Sequence, residues 1–421
     1  MREDSSLLKK DHNELHRLGI SGDSSTSDDA TLFEVLLFLS GGMGASLCYT
    51  ATLSSLVYFK EEYGAASFVY LNLGVFFPLV PIALMQAKWD HEYDKRIGSY
   101  TTFFFRGVVG FVVSVLVTAL IPFTHGLSVL VGLSTVLGAC GAVLQGTFNQ
   151  MASFVSFDSR LKAAVSSGLQ ASAIVPFIVS YFTNFGSSGS DAGFKAFFVT
   201  ISCVECVLFG LFLLLMYRSR PVAVAMLRRD SAIYTDLSSS KDECNTIPQA
   251  EKPTTTVTLS YTELWDITSV CCVTIVVTLI PSFMVDAWFT KVKSDWIVLP
   301  QVLFYTRIAF DFSGRLATLL LPPTSVKCLL TCAVLRVFIV IAFFVVSTMG
   351  SYSNQLTPPF VAVIGWASGY LVTGCFQLAP DLLPDNQRDA SVTQQASLLN
   401  TAFSVAAVGG LLSSFMLLFI L

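Results

Sequence analysis

The chain has 421 residues, of which 53% are apolar and only 13% are charged, and its mean hydropathy is +0.66. Soluble domains carry about 25% charged residues, so this composition excludes an ordinary soluble enzyme. A net charge of −4 provides no overall basic field, which argues against a nucleic-acid partner. The apolar residues come in long uninterrupted blocks, a pattern typical of membrane spans.

The chain begins with a polar and acidic segment, residues 1–31, which is not a cleavable signal and which we expect to be a cytosolic tail. Eleven apolar blocks follow, each long enough to cross the hydrocarbon core of a bilayer. The sequence therefore predicts an all-α polytopic membrane protein with eleven transmembrane helices. The predicted spans 1 to 11 cover residues 32–58, 66–85, 100–121, 127–154, 163–182, 194–216, 265–288, 297–321, 325–348, 358–380 and 390–421.

The basic residues are distributed unequally between the two sides of the predicted membrane. Of the 25 Lys and Arg residues, 17 lie in the tail or in loops on its side, four lie in loops on the opposite side, and four lie inside spans. Because cytosolic loops carry the excess of positive charge, the N-terminus is expected in the cytosol and the C-terminus outside. The expected location is the plasma membrane, with an internal membrane as the alternative.

A polar segment, residues 217–264, divides the spans into two groups. Its composition predicts a flexible cytosolic loop between an N-terminal bundle, residues 32–216, and a C-terminal bundle, residues 265–421. This division into six and five spans is similar to the two-bundle layout of major-facilitator-type transporters, with one helix fewer. In such folds the substrate site lies near the midplane, between the bundles.

Span 8 contains three charged residues, Arg307, Asp311 and Arg315, at intervals of four. This spacing places them one turn apart on one stripe of the helix. Each charge at membrane depth costs about 2.5–3.5 kcal/mol on insertion scales and therefore requires a partner. Two interpretations are open: an ion-pair ladder that locks span 8 to a neighbour, or a part of the transport path or its gate.

Span 4 carries two amides, Gln145 and Asn149, four residues apart within a run of small residues, and span 5 carries Gln170. Such amides can join closely packed helices. They can equally bind a ligand, because an amide offers both donors and an acceptor. Both interpretations remain open at this point.

Four further residues stand out in the spans. Gly365 and Gly369 in span 10 form a G-x-x-x-G pair that predicts close helix packing. Asp286, near the end of span 7, is expected to lie at the membrane interface. Glu205 in span 6 is an isolated acid for which the sequence offers no partner.

With these residues identified, the chain resembles the equilibrative nucleoside transporter family. The residues that carry the resemblance are Asp311-Phe312-Ser313-Gly314-Arg315, similar to the family's D-x-x-G-R in span 8, and Ala142-Val143-Leu144-Gln145-Gly146, similar to its A-x-x-Q-G in span 4. Ser167-Gly168 in span 5 and Gly369-Tyr370-Leu371 in span 10 also fit. The chain departs from the family where an Asn is common, because Ile308 stands there beside the extra cation Arg307.

The resemblance implies a carrier that moves nucleosides, or in some members nucleobases, across the lipid bilayer by alternating access. It implies that Gln145 would bond the base, and that Asp311 and Arg315 would lie by the ribose. Asn149, Gln170 and Arg307 complete the candidate substrate site. Transport is expected to be facilitative; coupling to protons and a carrier of another small polar solute are the alternatives.

No enzymatic activity and no cofactor or metal is expected. The sequence lacks the H-E-x-x-H pattern of metalloproteases and the G-x-x-x-x-G-K-[ST] loop that cradles nucleotide phosphates. Nine of the ten Cys residues lie inside apolar blocks, where a thiol behaves as a small hydrophobe. ATP-driven pumping is therefore not expected.

Overall fold

The structure of the protein is a computed structural model that describes residues 31–64, 67–155, 159–183, 185, 191–219, 222–224, 226, 259–293, 296, 299–349, 353–384 and 387–420. These residues are almost entirely helical. Residues 1–30 of the predicted tail and residues 227–258 of the predicted central loop lie outside the described residues.

The first six spans form the N-terminal bundle, and each begins within a few residues of its predicted position. A short helix, Leu56–Tyr63, follows span 1. The helices are Leu32–Ser54 (span 1), Ser67–Phe76 and Leu79–Ile97 (span 2), Ser99–Leu120 (span 3), Leu127–Val155 (span 4), Ser159–Ala171 and Ile174–Phe182 (span 5), and Asp191–Arg218 (span 6).

The remaining five spans form the C-terminal bundle. Within it, short 3-10 helices continue span 7 at Phe289–Lys291 and span 10 at Ala379–Leu382. A similar 3-10 helix, Ile121–Phe123, continues span 3 of the N-terminal bundle. The helices are Tyr261–Trp288 (span 7), Leu299–Leu320 (span 8), Val326–Ser347 (span 9), Ser353–Leu378 (span 10) and Arg388–Ile420 (span 11).

Within the described residues, ten helices are long and apolar enough to cross a membrane, whereas the sequence predicts eleven spans. The difference is span 8. Its helix is 22 residues long, sufficient for a crossing, but its three charged side chains make it too polar to qualify by composition. The architecture remains that of a polytopic helical membrane protein.

Span 2 is longer than predicted. The sequence places its end near residue 85, but the helix continues to Ile97. The additional turns are polar and amphipathic, and they bring the side chain of Asp90 into the interior, where it is only 7% exposed. The length of the apolar block in the sequence does not reveal this extension, because its buried face makes polar contacts and contains few apolar residues.

Capping boxes begin a span in each bundle. The Thr31 side chain accepts a hydrogen bond from the backbone N–H of Glu34, whose carboxylate in turn accepts from the N–H of Thr31. Ser260 and Glu263 form the same reciprocal pair at the start of span 7. Each box satisfies backbone donors that the first helical turn leaves without partners.

Each bundle has its own apolar core, and none of the clusters of buried apolar residues in the described part crosses from one bundle to the other. The N-terminal core is rich in aromatic side chains, with Phe111 packed against Phe148, Phe209 and Phe212. Since apolar packing stabilises each bundle separately, polar side chains mediate much of the contact between them.

Spans 8 and 10 approach each other closely, as the glycine pair predicts. A Cβ atom added at Gly369 would collide with the backbone carbonyl of Asp311, and one added at Gly365 would lie 2.8 Å from the carbonyl of Arg307. The glycines of span 10 therefore lie directly against the charged segment of span 8.

Candidate functional site

The charged residues of span 8 form the ion-pair ladder that their spacing predicts. Asp311 Oδ2 accepts a 2.7 Å hydrogen bond from Arg315 Nε, and Asp311 Oδ1 accepts one of 3.1 Å from Arg307 Nη1. The Asp311 carboxylate is buried, with 2% of its side chain exposed. Two guanidinium groups on opposite sides favour its ionised form.

Asp286, near the end of span 7, extends this ladder. Its Oδ1 atom is 3.3 Å from Arg307 Nε, which links the end of span 7 to span 8. Both atoms are buried without a hydrogen-bond partner in the described residues, so the pair is an ionic contact without hydrogen-bond geometry. The Asp286 side chain is 33% exposed, so it forms the exposed end of an otherwise buried ladder.

A third arginine, Arg336 of span 9, is buried near the ladder. Its guanidinium donates to the backbone carbonyls of Thr278 and Ile364 and to the hydroxyl of Ser282. All of these partners are neutral. The contacts therefore join spans 7, 9 and 10, but they provide no negative charge to balance that of Arg336. Together with the ladder, three arginines face two aspartates, an excess of one positive charge that disfavours a cationic ligand.

Arg315 also connects the two bundles. Its Nη1 atom donates to the Oγ atom of Ser166 in span 5 at 2.6 Å and to the backbone carbonyl of the same residue at 3.1 Å. The hydroxyl of Ser166 lies 2.8 Å from that of Thr373 in span 10. The ladder therefore ends at the interface between the bundles.

Gln145 lies at the same interface. It is buried, and its Nε2 atom donates a 3.1 Å hydrogen bond to Oδ1 of Asn400 in span 11. The other amides predicted for the site, Asn149 and Gln170, are partly exposed. Gln145 and Arg315 thus both bind residues of the opposite bundle. Asp311 and Arg307 are buried on the same stripe of span 8 as Arg315, and Asp311 binds both arginines.

A second polar contact between the bundles, absent from the sequence prediction, involves Gln150. Its Nε2 atom donates to Asp90 Oδ2 at 2.7 Å and to the hydroxyl of Ser397 in span 11 at 2.8 Å. Asp90 also accepts a 2.6 Å hydrogen bond from Arg106 of span 3. The available signal is Arg106, a cation inside span 3 that requires an acceptor.

The polar contacts between the bundles that Arg315, Gln145 and Gln150 make lie in the half of the structure nearest the start of span 1. Nearer the opposite end, aromatic side chains meet across the interface. The Phe76 ring of span 2 is 5.3 Å from Phe283 of span 7, and the Phe177 ring of span 5 is 4.6 Å from Tyr305 of span 8. The interface is therefore polar toward one end and aromatic toward the other.

This arrangement suits the recognition of a small neutral solute. Amide and hydroxyl groups on both bundles supply donors and acceptors, and aromatic rings supply apolar walls, the usual composition of a small-molecule site. The hydrogen bonds that Gln145, Gln150 and Arg315 make across the interface are of the kind that a polar ligand can also form. Within the described residues, no group of three or more His, Cys, Asp or Glu side chains could hold a metal ion.

The fold is similar to that of a solved structure from the major facilitator superfamily. That structure is the proton:xylose symporter XylE bound to 6-bromo-6-deoxy-D-glucose. The similarity has a TM-score of 0.62 at 10% sequence identity, and it covers 91% of this chain and 88% of that one. No family model matches the sequence, and no curated protein matches it.

Proposed function

We propose that the protein is a carrier that moves nucleosides, or nucleobases, across a membrane by alternating access. The observation that carries the proposal is the contact of Gln145 with Asn400, two buried amides that face each other across the interface of a transporter fold. A base edge presents the same alternation of donor and acceptor as an amide. A base entering the interface can therefore replace one amide as the partner of the other.

The ladder provides the second half of the proposed site. Ribose hydroxyl groups donate to carboxylates and accept from guanidinium groups, and Asp311 with Arg315 offers both in a fixed orientation. Arg315 reaches the opposite bundle through Ser166, so a solute that binds there would compete with a contact between the bundles. Binding and bundle separation are then linked, as alternating access requires.

The proposed driving force is the gradient of the solute itself. Proton symport would require a group that binds and releases a proton, and Asp311 is poorly suited because two arginines hold it ionised. The XylE neighbour is a proton symporter, so proton coupling is the alternative. We also propose a plasma-membrane location with the N-terminus in the cytosol, based on the distribution of Lys and Arg.

A second candidate substrate class is a sugar or a similar small polar solute. The similarity to the XylE structure, which holds a glucose derivative, extends over 91% of this chain and favours this class as much as any other neutral solute. The motifs around Gln145 and Asp311 favour a nucleoside. Competition between labelled adenosine and unlabelled xylose, glucose, adenine and uridine distinguishes the classes.

The decisive experiment measures uptake of labelled adenosine, inosine and uridine by purified protein in proteoliposomes, with and without an inward proton gradient. Saturable uptake that stops at equal concentrations supports a facilitative nucleoside carrier, whereas accumulation only with the gradient supports a symporter. Uptake equal to that of empty vesicles for every base would refute the nucleoside proposal. Monodisperse protein and binding of the unlabelled sugars would then move the substrate to the second class.

A further inference from the structure

Glu205 is an acid buried in the middle of span 6, with no role in the proposed site. Its side chain has 0% exposure, and within the described residues no nitrogen or oxygen donor lies within hydrogen-bond distance of either carboxylate oxygen. An isolated carboxylate is strongly disfavoured in such an interior. This setting favours the protonated, uncharged form of the side chain.

Among the described side chains, those next to Glu205 are uncharged. The thiol of Cys48 in span 1 lies against the carboxyl group, next to the hydroxyl of Thr118 in span 3, and Cys140 of span 4 lies just beyond. Like Glu205, the Thr118 hydroxyl has no nitrogen or oxygen hydrogen-bond partner in the described part of the chain. Charged side chains of the spans that pack here are engaged elsewhere or lie at helix ends: Glu34 contacts Ser219, Arg106 pairs with Asp90, and Lys195 and Arg218 lie near the two ends of span 6.

Span 1 connects this acid to the interface between the bundles. Cys48 touches Glu205, and the next residue, Tyr49, points toward span 4 and packs its ring against Gly141, where an added Cβ would lie 2.9 Å from the ring. Gly141 precedes Gln145 by one helical turn. A displacement of span 1 at Cys48 would therefore shift the ring that packs beside the proposed substrate site.

We propose that Glu205 is a proton-binding site and that the carrier completes its cycle only while this proton is bound. The inference rests on the proposed transport function. Loss of the proton would leave a buried charge that draws water between spans 1, 3 and 6, and the resulting displacement of Cys48 would move Tyr49. The proton stays on Glu205 during the cycle, so the mechanism requires no net proton transport and is compatible with a facilitative carrier.

The test is counterflow of labelled adenosine in proteoliposomes with the same pH inside and outside, measured over a series of pH values. Wild-type counterflow is expected to fall as the pH rises. Glu205→Gln, which keeps the size and the neutrality of the acid, is expected to abolish this fall and to stay within about twofold of the wild-type rate at acidic pH. The control is Glu34→Gln, at a buried acid whose carboxylate accepts hydrogen bonds from Thr31 and Ser219; it should keep the wild-type profile.

A second readout does not depend on transport. The infrared difference spectrum between wild type and Glu205→Gln should contain the carbonyl band of a protonated carboxylic acid. Absence of this band, an unchanged pH profile in Glu205→Gln, or a folded but inactive Glu205→Gln would each overturn the proposal. If wild-type protein carries no nucleoside, the proposed function fails, and the infrared measurement still decides whether Glu205 holds a proton.

Discussion

The side-chain amide of Gln145 donates a 3.1 Å hydrogen bond to Asn400, a residue 255 positions further along the chain and in the other bundle. Both side chains are buried, at 4% exposure each. A buried amide that loses its partner is left with an unsatisfied polar group. The bundles can therefore separate here only if water or a solute takes the place of the lost partner.

The Gln145→Ala variant tests this contact. We expect it to reduce the initial rate of adenosine uptake about 3- to 10-fold, since the lost hydrogen bond is worth about 1 kcal/mol. The matched control is Gln395→Ala, which removes a buried amide that bonds Thr268 and Ala379 within the C-terminal bundle. Equal losses in both variants would show that Gln145 acts only as a helix-packing residue.

The Asp311→Asn variant tests the ladder. Removing the charge leaves Arg315 and Arg307 facing each other across a neutral side chain, and breaking a buried ion pair costs about 3–5 kcal/mol. We expect a lower thermal unfolding temperature in detergent, together with loss of uptake. The double variant Asp311→Asn with Arg315→Gln should regain part of the stability, because Asp311 is the one anionic partner of Arg315 among the described residues, whereas Arg307 keeps Asp286. A double variant no more stable than Asp311→Asn would contradict the ladder.

Cross-linking tests the movement between the bundles. The Ser166 and Thr373 hydroxyl oxygens are 2.8 Å apart across the interface, so cysteines at these positions are close enough for a disulfide. We expect oxidation of the Ser166→Cys, Thr373→Cys protein to stop counterflow and reduction to restore it. The control is Ser282→Cys with Ser368→Cys, whose hydroxyl oxygens are 3.3 Å apart within one bundle. Transport that persists with the Ser166–Thr373 cross-link formed would be incompatible with alternating access by bundle separation.

The glycine contact between spans 8 and 10 predicts a stability effect. In Gly369→Ala the new methyl group collides with the carbonyl of Asp311, so we expect a lower unfolding temperature and a lower yield of folded protein. Gly210→Ala is the matched control, because nothing lies within 4 Å of its added Cβ. Alanine is favoured over glycine by about 1 kcal/mol in a helix interior, so the control should be neutral or slightly stabilised. Thermal unfolding of the two variants side by side measures the difference.

The sequence could predict features that depend on local periodicity. The intervals between Arg307, Asp311 and Arg315 determine the ladder, because residues four apart meet on any regular helix. The spacing of Gly365 and Gly369 likewise predicts the close approach of span 10. These relationships require no knowledge of which helices are neighbours in the fold.

Contacts between distant spans could not be predicted in the same way. Asn400 lies in span 11 without a distinguishing local pattern, and its pairing with Gln145 depends on how the bundles meet. Asp90 and Gln150 are similar cases: Asp90 falls beyond the predicted end of span 2, and only the structure shows that span 4 binds it. The contact of Asp286 with Arg307 depends on the rotation of span 7 against span 8, which a nearly uniform apolar sequence leaves undetermined.

The charges of span 8 also bear on how the chain enters the bilayer during synthesis. A helix with two arginines and an aspartate partitions poorly from the translocon into lipid by itself, whereas the neighbouring spans 7 and 9 are apolar enough to do so. Its cations find acceptors on spans that are made both earlier and later, Asp286 on span 7 and Ser368 on span 10. Span 8 is therefore expected to be retained beside the translocon until span 10 has emerged, so that spans 7 to 10 integrate as one group.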